Sequence, residues 1–109
     1  MSKLTPELMN MVAERFRALG EPARLRILDA LRAGELTVSQ IMVEAELSQA
    51  NVSKHLHLLH SLGFVSRRKE GLFVYYALAD RDPFRLCDII CGRLARESAA
   101  RQKLMARTV

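Results

Sequence analysis

The chain has 109 residues, half of them hydrophobic and 27% charged, with a formal net charge of +5. That length supports one hydrophobic core rather than two, and the apolar fraction excludes an intrinsically disordered chain. The basic excess favours a polyanionic partner, and two cysteines are too few for a secreted disulfide framework.

The first residues, Met-Ser-Lys-Leu-Thr-Pro-Glu, lack the apolar run of a signal peptide. No stretch approaches the roughly 18 apolar residues of a membrane span. A cytoplasmic protein with no membrane partner is expected. Thr5-Pro6-Glu7 predicts a helix start, with a capping hydroxyl, Pro at the first helical position and acid in the first turn. Leu8, Val12, Phe16 and Leu19 recur at helical spacing up to Gly20. Glu21-Pro22 opens a second helix through Leu25, Leu28 and Leu31, closed by Gly34. Thr37-Val-Ser-Gln40 matches a capping box and starts a short third helix, broken at Glu46-Leu47-Ser48. Ser48 then caps a fourth helix that stops at Gly63.

Strand-forming runs follow at Phe64–Ser66 and Leu72–Leu78, with Glu70-Gly71 expected as the tight hairpin turn between them. A last helix from Pro83 carries Phe84, Cys87, Cys91 and Leu94 on one stripe, with weak patterning and fraying expected beyond Ala95. The predicted order is α-α-α-α-β-β-α: a mostly α protein with a β-hairpin wing (α+β), one winged helix-turn-helix domain over residues 1–109.

The fourth helix carries the functional signal. At about 100° per residue, Val52, Leu56 and Leu59 share one side, with His55 and Leu62 at its edge. Ala50, Ser53, Lys54 and His57 take the other side, with Gln49 in the first turn. A recognition helix presents such N-terminal residues to base edges in the major groove, where Gln pairs with adenine and Ser accepts or donates. From Asn51 to Lys69 there is no acidic residue. Arg67, Arg68 and Lys69 form a basic wing suited to the DNA backbone or the narrow minor groove. Strand alternation puts Arg67 and Lys69 on one face and Arg68 on the other, so the three cannot contact DNA alike. Tyr75 and Tyr76 also point opposite ways, one toward the core. His55, His57 and His60 do not converge as metal ligands, because His55 faces the core edge.

Three segments together resemble the ArsR/SmtB family of bacterial repressors: Leu19-Gly-Glu-Pro-Ala-Arg-Leu-Arg-Ile-Leu28, Leu47-Ser-Gln-Ala-Asn-Val-Ser-Lys-His-Leu-His-Leu-Leu59, and the stretch from Gly63 to Leu78. The likeness runs from about residue 8 to about residue 94. It implies a winged-helix homodimer built on the first and last helices, bound to an inverted-repeat operator in double-stranded DNA and released by an inducer. Gln49, Ser53 and Lys54 match the family's DNA-contact positions. Its sensor motifs map poorly. Thr37-Val38-Ser39 stands where its thiolate sensors carry Cys-Val-Cys, Asp88-Ile89-Ile90 lacks the imidazole of its zinc sensors, and the second helix has no cysteine.

Cys87 and Cys91 remain as the candidate inducer site. They form an i, i+4 pair whose β-carbons lie about 5–6 Å apart, too far for a relaxed disulfide but within reach of one shared soft ion. As(III), Cd(II) and Zn(II) are the candidate inducers, or an oxidant acting across the dimer; no resident cofactor is called for. Plain apolar packing is the competing reading for both thiols. The alternative function is a winged-helix protein-interaction module without specific DNA binding. No phosphate loop, His/acid pair or activated nucleophile indicates an enzyme.

Overall fold

The computed structural model describes residues 3–107, with backbone only from residue 104 onward; Met1, Ser2, Thr108 and Val109 of the expected 1–109 domain lie outside the described residues. Helix α1 (Pro6–Leu19) begins where Thr5 Oγ1 accepts the N–H of Leu8 at 3.1 Å. Helix α2 (Pro22–Ala30) is capped by the Glu21 carboxylate and passes into a 3-10 turn at Leu31–Ala33. A two-residue strand β1 (Leu36–Thr37) precedes α3 (Val38–Ala45). Both halves of the expected capping box form at Thr37 and Gln40, satisfying two N–H groups that the first turn leaves open. Helix α4 (Gln49–Ser61) follows, capped by Ser48. The wing is β2 (Val65–Glu70) and β3 (Phe73–Leu78), and α5 (Asp82–Arg107) closes the chain. None of the described helices is long and apolar enough to cross a membrane.

The core lies where α2, α3 and α4 meet the root of the wing. Ile27, Leu28, Leu31, Ile41, Val52, Leu56 and Leu59 are at most 2% exposed, and Val65 and Phe84 close its edges. The apolar spacing of each helix decides which face goes inside, and burying these side chains is the main stabilising term. Among the described residues no buried side-chain nitrogen or oxygen lacks a partner.

Four expectations need correction. The antiparallel sheet has three strands in the order β1-β3-β2, with Leu36 opposite Tyr76 and Thr37 opposite Tyr75. A two-residue strand carries too little periodicity to be read from sequence. The hairpin pairs Glu70 with Phe73, so its turn is Gly71-Leu72 rather than Glu70-Gly71, with Gly71 in the left-handed region at φ 61°. Strand β2 runs four residues past the expected Phe64–Ser66, so Arg67, Arg68 and Lys69 lie within it; pairing with β3 carries the strand through this basic run. The last helix is also continuous to Arg107 instead of losing its structure beyond Ala95.

Candidate nucleic-acid interface

The turn between α3 and α4 is made by Glu46 at φ 55°, whose N–H and that of Leu47 both return to the Met42 carbonyl. This sharp stop sets α4 against α3. Val52, Leu56 and Leu59 then anchor α4 in the core and turn its opposite face outward. Ala50, Ser53, Lys54 and His57 are exposed on that face, and Gln49 is exposed in the first turn of the helix. Leu62 is half-buried at the edge.

His55 is 8% exposed and joins a polar network behind α4. The Arg24 guanidinium donates to His55 Nδ1 at 3.3 Å, to the Ala18 carbonyl at 2.6 Å and to the Arg17 carbonyl at 3.2 Å. Since Arg only donates, Nδ1 must be the lone-pair nitrogen and the neutral ring carries its proton on Nε2. Glu21 Oε2 lies 3.8 Å from Nε2. Burial lowers the His55 pKa; Glu21 opposes that shift, and Arg24 and Lys54 add to it. Among the described residues no three His, Cys, Asp or Glu side chains converge as metal ligands.

On the wing, alternation separates the three basic residues. The register puts Arg67 and Lys69 on the face of Val74 and Tyr76; the groove there, against Val38 at the start of α3, is lined by all three basic residues. Lys54, Arg67 and Lys69 form no ion pair among the described residues. Arg68 turns to the other face, where it stacks over the Tyr75 ring at 4.6 Å. There it donates to both oxygens of Glu35 and to Glu70. Tyr76 packs on the core, so the two tyrosines do point opposite ways. Sequence reasoning missed Glu35 and Arg24. Period-2 alternation identifies the Arg68 face, but no local signal links residues 33 apart.

The cysteines sit away from this surface. Cys87 is half-buried and Cys91 exposed. Both line an apolar groove between α1 and α5 with Phe16, Leu19, Leu25, Leu86, Ile90 and Leu94. The arginines two residues from each thiol along α5 pair with carboxylates of the same helix, Arg85 with Asp82 at 3.3 Å and Arg93 with Glu97 at 3.1 Å.

Residues 21–67 match the family model described as bacterial regulatory protein, arsR family. A transcriptional repressor SmtB homolog of Synechocystis sp. is 37% identical over 89 residues, covering 77% of this chain and 67% of that protein. A cadmium resistance transcriptional regulatory protein CadC homolog of Staphylococcus aureus is 44% identical over 70 residues, 63% of this chain and 58% of its own. Among solved structures, a homodimeric winged helix-turn-helix DNA-binding domain from Mycobacterium bovis, described as a possible ArsR-family transcriptional regulator, superposes with a TM-score of 0.71. It is 32% identical, and the match covers 91% of this chain and 94% of that one.

Proposed function

The chain belongs to the ArsR family of bacterial regulatory proteins, a transcriptional repressor with a winged-helix DNA-binding domain and no enzyme, and on that premise we propose how it reads DNA and how it lets go. It binds an inverted-repeat operator as a homodimer. Gln49, Ala50, Ser53, Lys54 and His57 of α4 enter the major groove, and Arg67 and Lys69 of the wing reach the flanking backbone or minor groove. The carrying observation is that these seven side chains are exposed, that none of them is acidic, and that their three cations have no carboxylate partner among the described residues. Such a repressor works where the bacterial chromosome lies, in the cytoplasm.

The dimer forms through α1 and α5. Phe16, Ile89, Ile90 and Leu94 are 56–69% exposed on these helices, a cost that a second copy removes. The Mycobacterium bovis relative is described as homodimeric. Two α4 helices then address half-sites one helical turn, about 34–36 Å, or a multiple of it apart. An inducer acting on α5 changes that spacing and weakens both half-site contacts together.

The inducer site is the Cys87–Cys91 pair. Its surroundings offer two sulfurs and an apolar lining with no carboxylate or imidazole. That donor set does not complete a four-ligand zinc site within one chain; it fits a thiophilic ion of low coordination number, or four thiols contributed by two protomers. As(III) and Cd(II) suit it better than Zn(II), and an intersubunit oxidation uses the same sulfurs.

The test starts from duplexes recovered from a random-sequence pool by the wild-type protein. Binding is followed by fluorescence anisotropy across salt. Specific binding whose log K falls linearly with log salt, by about 0.9 per phosphate neutralised, is expected. No duplex binding at low salt would instead support the protein-interaction reading. Release is then compared for wild type and a Cys87→Ser/Cys91→Ser variant across As(III), Cd(II), Zn(II) and peroxide. Identical responses of the two proteins to every agent would remove the cysteines as the inducer site.

A further inference from the structure

We propose that Arg68 is a positioning residue that clasps the wing to the base of the helix-turn-helix, and that the wing face it occupies is turned away from DNA. The proposal rests on the DNA-reading function above and assigns opposite tasks to the two faces of strand β2.

Three observations carry it. The first is reach. Arg68 starts on β2, crosses over Tyr75 of β3 and ends on Glu35, immediately before β1. One side chain thus spans the full width of the three-stranded sheet. The second is what it joins. Strand β1 has only two residues, and its Thr37 is also the cap of α3. The hairpin's sheet contact with the body is therefore two residue pairs, and the Arg68–Glu35 fork, with bonds of 2.9 and 2.5 Å, adds a bidentate link at the same junction.

The third is charge. Arg68 sits between the carboxylates of Glu35 and Glu70. One guanidinium with two carboxylates has a net charge of −1, so this face repels a phosphate rather than receiving one. The Glu35 carboxyl titrates below its usual range because Arg68 donates to it, which outweighs the opposing effect of desolvation. The opposite face carries Arg67 and Lys69, two cations with no acid beside them, and presents +2 to the duplex. A hairpin held by its acidic side offers its basic side to DNA.

A charge-reversal cycle separates positioning from contact. The probe is a fluorescein-labelled duplex selected from a random pool by the wild-type protein. Arg68→Glu and Glu35→Arg, each alone, are expected to weaken binding at least ~3-fold, since each leaves like charges together at the junction. In the DNA-free protein the same variants speed hydrogen exchange of the β2–β3 amides and leave α2 and α4 unchanged. In an E70Q background for all variants, which removes the second carboxylate that Arg68 also pairs with, the double variant E35R/R68E rebuilds the pair with its polarity reversed. It is expected to return affinity to within ~2-fold of wild type, with an unaltered salt slope and restored hairpin protection.

Arg67→Gln is the contrasting case: weaker binding, a salt slope shallower by about 0.9, and wild-type hairpin exchange. Arg68→Gln serves as the milder substitution if a reversal prevents folding. A double variant as weak as R68E, with a shallower salt slope, would overturn the proposal by making Arg68 a phosphate contact. Unchanged hairpin exchange in every variant would also overturn it. If selection recovers no duplex, the DNA-reading function fails, while the exchange cycle still decides whether the clasp exists.

Discussion

Glu46 is the residue with the most local leverage on the site. It sits at φ 55°, alone among the described non-glycine residues in the left-handed region. A side chain there crowds the backbone and costs on the order of 1 kcal/mol relative to glycine. The turn needs this conformation, because the N–H groups of Glu46 and Leu47 must both reach the Met42 carbonyl for α3 to stop and α4 to start. Glu46→Gly should therefore stabilise the fold by up to about 0.5 kcal/mol in urea unfolding, once the glycine's unfolded-state entropy of about 0.4–1 kcal/mol is set against the relieved strain. A loss of stability would mean that the Glu46 side chain contributes something the backbone does not.

At the scale of elements, α4 is held from two sides. Its apolar face is locked by Val52, Leu56 and Leu59, and behind it the Arg24 guanidinium ties His55 to the last carbonyls of α1. The second tie depends on pH. Burial pushes the His55 pKa down, Glu21 partly offsets this, and Arg24 and Lys54 reinforce it. The unfolded chain, titrating near the ordinary value of about 6.5, binds more protons than the folded one between the two pKa values. Stability thus rises with pH through that window and is lost as pH falls from about 6.5 towards the depressed folded value. Protonation at Nδ1 also removes the acceptor that Arg24 uses. The carboxyls of Glu21 and Glu35 are held below 4.5 and lose their contribution only at still lower pH. Between pH 7 and 5.5 the wild type should lose more stability than His55→Gln, read as the shift of the urea midpoint. Equal slopes would show that His55 is not the group being titrated.

At the scale of the molecule, the shape itself points to a partner copy. The Cα radius of gyration is 17.6 Å, against about 13 Å for a compact domain of this length, and the longest axis is 61 Å. Helix α5 has 26 residues, and beyond Phe84 its apolar side chains have too little body to pack on. The proposed homodimer, with a second copy laid along α1 and α5, would cover them in a closed symmetric arrangement. Ile90→Glu puts a charge into the groove that holds both cysteines. It should convert the protein from dimer to monomer in light scattering at micromolar concentration, with operator affinity falling at least ~10-fold as the second half-site contact is lost. A dimer unaffected by this substitution would place the interface elsewhere.

The sequence by itself determined the starts of α1 to α4, that of α5 to within one residue, and the exposed face of α4. Those signals are local. A capping hydroxyl acts within three residues of itself, as at Thr5, Thr37 and Ser48, and a 3.6-residue period is complete within two turns. It also determined that Arg67 and Lys69 part company with Arg68, because side chains alternate along any strand. What Arg68 does on its own face was decided only by tertiary structure. Glu35 lies 33 residues away, brought alongside by a two-residue strand too short to leave a pattern. The extent of β2 was decided the same way, since its Arg-Arg-Lys run becomes strand through pairing with β3 rather than by its own propensity. Local physics is written in neighbouring residues; contacts between distant ones exist only once the chain has closed on itself.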